Sequence, residues 1–391
     1  MKNKIKLMNN TFINESKTKK NLIKFIRNAK KLSMDKKTSS FEKKFSNVIN
    51  HKYSTFVNSG SSANLVLIQA LKNLRYLKNK DKVGISSVTW STNVMPVIQH
   101  NLVPVPIDIN LNTLNCSPEN LLSVLKKENL KAFFLTNVLG FSDNIIEIRK
   151  ICTKNKIILL EDNCESLGSE YKNKKLGTYG LASTHSFYVG HHISSIEGGI
   201  ISTSSSQLDR MIKIVRAHGW TRNLSFKNQQ MYSQKYNVKN FYNIYTFYDL
   251  AYNVRPTEIN AFLALDQIRY LKKVILKRQN NFLKIYSVYK KNSDFIMLNI
   301  KNMNLISNFA FPIICKNKKI FKKYVNKFKK LNVEIRPIIA GNITKQPFFK
   351  KYVKAKYILP NAEMAHNNAF YCPNNYEMTK ENIKRIILAI S

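Results

Sequence analysis

Cysteine is scarce and scattered in this chain. Cys116, Cys152, Cys164, Cys315 and Cys372 are odd in number and form no C-x-x-C pair, which argues against a disulfide framework or a zinc site. Long apolar runs are missing too. No stretch approaches the roughly 20 residues that span a bilayer. The basic start, Met1-Lys2-Asn3-Lys4-Ile5-Lys6, leads into no apolar signal core of roughly 7–15 residues. A cytoplasmic protein without a membrane span is expected. Acidic residues are few, 23 Asp and Glu against 64 Lys and Arg, for a net charge of +41. A nucleic-acid partner is one reading of that charge. The lysines are dispersed, however, and no helix-turn-helix, zinc-finger or aromatic-basic RNA motif accompanies them. The charge is therefore read as a bias spread over solvated faces, with no nucleic-acid partner; it would still help attract a phosphorylated substrate. No lysine occurs between Lys175 and Lys213.

What is present is enough apolar material for a large core, 44% of 391 residues. Short apolar segments read as buried strands at Val83–Val88, Val103–Ile109, Ala132–Val138, Ile157–Asp162, Thr184–Tyr188 and Gly199–Thr203. Helical patterns fall between them at Ala63–Leu77, Pro118–Lys127 and Asn144–Lys154. Continuous apolar strands alternating with helices predict an α/β domain with a mostly parallel sheet. A helical pattern from Glu258 to about Lys291 reads as the connector into a smaller C-terminal domain with a strand at Phe309–Cys315 and a helix at Ile320–Leu331. The expected divisions are an N-terminal segment, 1–30, in part mobile; an α/β domain, 31–265; and a C-terminal α+β domain, 266–391.

Four constellations carry candidate chemistry. Asn58-Ser59-Gly60-Ser61-Ser62-Ala63-Asn64-Leu65 places a glycine and hydroxyls before an apolar helix. That is either a phosphate cradle at a helix N-terminus or an ordinary Ser-rich cap. The Ile157–Asp162 run ends in the acidic pair Glu161-Asp162, with Glu165 beyond it. A carboxylate at a strand's C-terminal end faces the crevice where α/β ligands bind, or else caps the next helix. Trp90 follows the Val83–Val88 strand and could stack on a flat ring or fill the core. Finally, Ser186-Phe187-Tyr188-Val189-Gly190-His191-His192 precedes Glu197-Gly198-Gly199. No third ligand with metal spacing lies near the two histidines, so no metal is assigned.

In their order and spacing these segments resemble the DegT/DnrJ/EryC1/StrS family of nucleotide-sugar aminotransferases, from about residue 30 to the C-terminus. Tyr252-Asn253-Val254-Arg255-Pro256-Thr257-Glu258 is similar to that family's Asn-x-Arg-x-x-Glu segment, and Glu334–Pro347 to its Arg-Pro…Gly-Asn motif. The family has the fold-type I architecture of pyridoxal-phosphate enzymes (aspartate aminotransferase-like). Its lysine, which holds the cofactor covalently, falls at His191 in this sequence. Histidine there resembles a branch of sugar 3-dehydratases. The branch members that carry an iron–sulfur cluster use a closely spaced cysteine pair, which this chain lacks.

The resemblance implies pyridoxamine 5′-phosphate (pyridoxal 5′-phosphate after turnover) held non-covalently. It implies removal of the C3 hydroxyl from a nucleotide-linked 4-keto-6-deoxyhexose, with L-glutamate as amino donor. His191 becomes the proton carrier, because a histidine titrates near neutrality and forms no competing covalent link. Asp162 pairs with the ring nitrogen, Trp90 stacks on the ring and Glu165 sits beside it. Gly60, Ser61, Ser62 and Ser186 hold the phosphate. Asn253 does so across the interface of a homodimer with shared sites, and Arg336 and Asn342 face the substrate. Two alternatives stay open: an aminotransferase recruiting a lysine from elsewhere, and an inactive homologue that binds a sugar nucleotide.

Overall fold

The computed structural model describes residues 3–239 and 241–391. Its centre is a seven-stranded sheet. In spatial order the strands are Tyr53–Val57, Gly199–Thr203, Ala182–Ser186, Ile158–Asp162, Leu130–Thr136, Lys82–Ser86 and Val103–Ile107. Six run in one direction. Gly199–Thr203 alone is reversed, antiparallel to both of its neighbours. Helices cover both faces, so the inner strands are buried on both sides and read as near-continuous apolar runs. One face packs Val66, Leu67 and Leu71 of the Gly60–Asn73 helix against Val83, Phe134 and Leu160. The other packs Phe133, Leu135 and Leu159 against Ile148 and Ile151 of the Ile145–Lys154 helix.

The connector is two helices, Glu258–Ile268 and Leu271–Tyr289. Phe282, Ile285 and Tyr289 of the second pack against a three-stranded antiparallel sheet of Ala310–Ile314, Ala369–Pro373 and Arg336–Pro337. Glu258, the last residue of the Asn-x-Arg-x-x-Glu segment, is buried. Its carboxylate accepts from the backbone N–H groups of Asp35, Lys37 and Thr38, and so caps the Lys36–Ile49 helix. The N-terminal segment is held at several points. Ile5 bridges Val333 and is buried in the C-terminal core, and the Thr18 hydroxyl donates to buried Asp266 at 2.7 Å. Leu7 and Met8 thereby reach the wall of the central cavity.

Candidate active site

A cavity of about 340 Å³ opens at the C-terminal ends of the parallel strands, where crossover connections diverge and ligands bind in such sheets. All four sequence constellations meet there. Ser59 caps the Gly60–Asn73 helix by accepting from Ser62 N–H at 3.0 Å, which leaves the Gly60 and Ser61 N–H groups with no intrahelical acceptor. Gly60 is packed onto Ser186, the last residue of its strand. A Cβ at position 60 would lie 2.7 Å from the Ser186 Cβ and 3.1 Å from its Oγ. The close approach sets the free N–H groups of the helix N-terminus beside the Ser186 hydroxyl at the cavity, an arrangement that suits a phosphate. Ser61 lines the cavity; Ser62 does not, and its hydroxyl instead accepts from that of Ser59. Gly60→Ala is expected to weaken pyridoxamine phosphate about tenfold or more with a smaller change in melting temperature. A fluorescence titration checks this, and unchanged affinity would remove Gly60 from the cradle.

Asp162 ends the Ile158–Asp162 strand and is 4% exposed. Its Oδ2 accepts from Asn64 at 3.0 Å and Asn93 at 2.7 Å, and its Oδ1 accepts from Cys164 N–H. Three neutral donors hold the charge in place without neutralising it, leaving it free to face a cationic ring N–H. Glu165 accepts from Leu139 N–H at 2.9 Å. Burial, with the Asp162 charge adding to it, lifts its carboxyl to about 8. Glu165 is therefore largely protonated at neutral pH and able to donate. Trp90 is 55% exposed at the cavity rim, so its indole face is open for stacking rather than spent in the core.

The two adjacent histidines separate. His191 lines the cavity beside the rings of Tyr188 and Phe309, with its Nδ1 unpartnered. His192 turns inward and its Nε2 bonds the Ser307 carbonyl at 2.8 Å. Burial lowers His191 to about 4, against an upward pull from Asp162. The imidazole is thus neutral at pH 7 and can accept a proton. Among the described residues, no lysine lines the cavity.

The remaining expected contacts divide. Arg336 lines the cavity and pairs with Glu334 at 3.0 Å, whose other oxygen accepts from Leu7 N–H. Asn342 is buried outside the lining and caps a short turn, accepting from Thr344 N–H. Asn253 is exposed, away from its own chain's cavity, and its Oδ1 accepts from Arg255. Sequence reasoning missed Asn64 and Asn93, although Asn64 lies inside the Asn58–Leu65 segment it singled out and Asn93 lies three residues after Trp90. It also missed Leu7 and Met8, which no local signal marks.

Residues 14–391 match the model of the DegT/DnrJ/EryC1/StrS aminotransferase family. The chain belongs to this family. It is 34% identical, over 90% of its own length and 91% of the other's, to a GDP-4-keto-6-deoxy-D-mannose 3-dehydratase from Escherichia coli O55:H7. It is 32% identical to the enzyme of the same name from Yersinia pseudotuberculosis, over 94% and 93% of the two chains. A crystal structure of GDP-4-keto-6-deoxymannose-3-dehydratase with a trapped PLP-glutamate geminal diamine superposes with a TM-score of 0.90. It covers 99% of this chain and all of that one at 30% identity.

Proposed function

We propose that this protein is a pyridoxamine-phosphate-dependent dehydratase that removes the C3 hydroxyl of GDP-4-keto-6-deoxymannose in 3,6-dideoxysugar biosynthesis, acting as a cytoplasmic homodimer. One observation carries the reading. The cavity has a neutral histidine where the family places its covalent lysine, no lysine among the described residues lines it, and the groups suited to ring and phosphate remain. That combination speaks against an aminotransferase and against an inactive copy. The choice of GDP-linked sugar rests on the two dehydratase relatives, and glutamate as amino donor on the adduct in the related crystal structure. The exposure of Asn253 suits a residue that completes the site of a second copy.

Pyridoxamine phosphate, when bound, supplies an amine for the C4 ketone and a ring that accepts electrons. The protein's part is positional and protonic. Gly60, Ser61 and Ser186 hold the phosphate, Trp90 covers the ring, and Asp162 keeps its nitrogen protonated. Glu165, protonated, donates a hydrogen bond beside the ring. His191 takes a proton on its free imidazole nitrogen and returns it to the departing C3 hydroxyl, so that water leaves rather than hydroxide.

Mass spectrometry tests the reaction with protein, cofactor, glutamate and a panel of GDP-, CDP- and dTDP-4-keto-6-deoxy sugars. The expected product is one oxygen atom lighter than the GDP sugar, with one 2-oxoglutarate and one ammonia formed per turnover. A 4-amino sugar without ammonia release, or a lysyl adduct trapped by borohydride in the cavity, would establish an aminotransferase instead.

A further inference from the structure

The Leu271–Tyr289 helix carries Arg278 into the interior behind His191. The guanidinium is only 5% exposed and does not line the cavity. Its Nη2 donates to the main-chain carbonyl of His191 at 2.7 Å, while Nε and Nη1 are buried without partners. None of the ion pairs among the described residues includes it. An ionised side chain buried without a counter-charge is unfavourable, and an apolar residue of similar volume would be more stable there. Stability therefore gives no reason for arginine at this place. What the arginine does touch is the peptide of the one imidazole in the cavity.

We propose that Arg278 is a positioning residue for His191: its hydrogen bond fixes the peptide that aims the imidazole into the cavity, and its buried charge makes the protonated ring a stronger donor to the leaving hydroxyl. The inference rests on His191 as the proton carrier assigned above. Two opposite charges act on that ring. Asp162, on the sheet side, favours imidazolium; Arg278, on the helix side, disfavours it, as does burial. His192 adjoins on the same loop. The other ionisable groups around the cavity are Cys164, Glu165, Tyr188, Glu197, Arg336 and Tyr371. The charge of Arg278 reaches His191 from outside the cavity, so substrate can enter without displacing or screening it.

The test uses Arg278→Met, Arg278→Gln and Arg278→Lys in the full chain. Met removes charge and tether, Gln keeps a donor without the charge, and Lys keeps the charge. The titration of His191 is read by NMR of ring-labelled histidine in the cofactor-free protein, the signal being identified by its loss in His191→Asn. Met and Gln are expected to raise the midpoint by about one pH unit, while Lys leaves it near the wild-type value. In turnover, the acidic limb of the pH–kcat profile moves up with Met and Gln and stays with Lys. If Met does not fold, Gln carries the same comparison. A midpoint unchanged in the neutral variants, with kcat lowered equally at every pH, would overturn the proposal and leave Arg278 a packing residue. The titration needs no substrate, so it stands apart from whether the reaction assigned above is correct.

Discussion

Replacing His191 with Asn is expected to lower dehydration roughly 10³-fold or more while pyridoxamine phosphate still binds. Positioned acid–base groups contribute about 10²–10⁴-fold each, and in the proposed mechanism one side chain serves both proton acceptance and leaving-group protonation. Little else changes. Asn is neutral like the wild-type imidazole, and the Arg278 bond is to a main-chain carbonyl that survives the substitution. The ring contacts to Tyr188 and Phe309 and the imidazole's hydrogen bond to the Ser186 backbone are lost. The proposed phosphate and ring contacts lie elsewhere, at Gly60, Ser186, Trp90 and Asp162. A single-turnover assay with preloaded cofactor separates chemistry from binding. Retention of more than about a tenth of the wild-type rate, measured against the 10²-fold lower bound for such groups, would remove His191 from proton transfer.

The arrangement couples a loss to a gain. A covalent lysine would hold the cofactor through every cycle, whereas a histidine holds nothing and must leave retention to non-covalent contacts. In the proposed binding mode those contacts come from four separate places: a helix N-terminus, two strand ends and an aromatic at the rim. The cavity walls are added from further away still, by the N-terminal Leu7 and Met8 and by the Arg336 loop. Glu334 joins these two walls, because one of its oxygens accepts from Leu7 N–H and the other pairs with Arg336.

The central sheet was legible because its strands are buried on both faces. Leu130–Thr136 and Ile158–Asp162 have almost no polar residue before the strand end, so composition alone marks them. Tyr53–Val57 escaped because its polar side chains are satisfied by partners distant in sequence. Thr55 donates to Asp209, and Ser54 bonds Ser202. The Ser91–Gln99 helix was hidden by Pro96 within it. In the site, each residue that ends a strand or starts a helix could be placed, since its position follows from local pattern. Side chains whose roles depend on closure of the chain could not. Asn64 and Asn93 meet only at Asp162, and Ser62 and Asn342 belong to cap motifs whose hydrogen bonds cannot be told from ligand contacts until the turns are built.

That closure makes Asp162→Asn the second decisive variant. Asp162 accepts two side-chain amides on Oδ2. An amide at position 162 would place a donor there instead, but the Asn64 and Asn93 carbonyl oxygens are both buried without partners. Rotating those amides offers them as acceptors, and the Cys164 N–H keeps an oxygen at the former Oδ1. The hydrogen-bond network can therefore survive with the charge removed, and the stability change is expected to stay within about 1–2 kcal/mol. Catalysis has no such remedy. A neutral amide no longer favours a protonated ring nitrogen, and losing one preorganised electrostatic partner lowers rates about 10²–10³-fold. Asp162→Ala separates the two effects, because it strands both asparagine amides in the interior and is expected to cost more stability than Asn with a similar loss of rate. Thermal melts and single-turnover rates for the pair decide it. If Asp162→Asn turns over at the wild-type rate, the carboxylate is a structural anchor for Asn64, Asn93 and Cys164, and the protonated state of the ring must be maintained by another group.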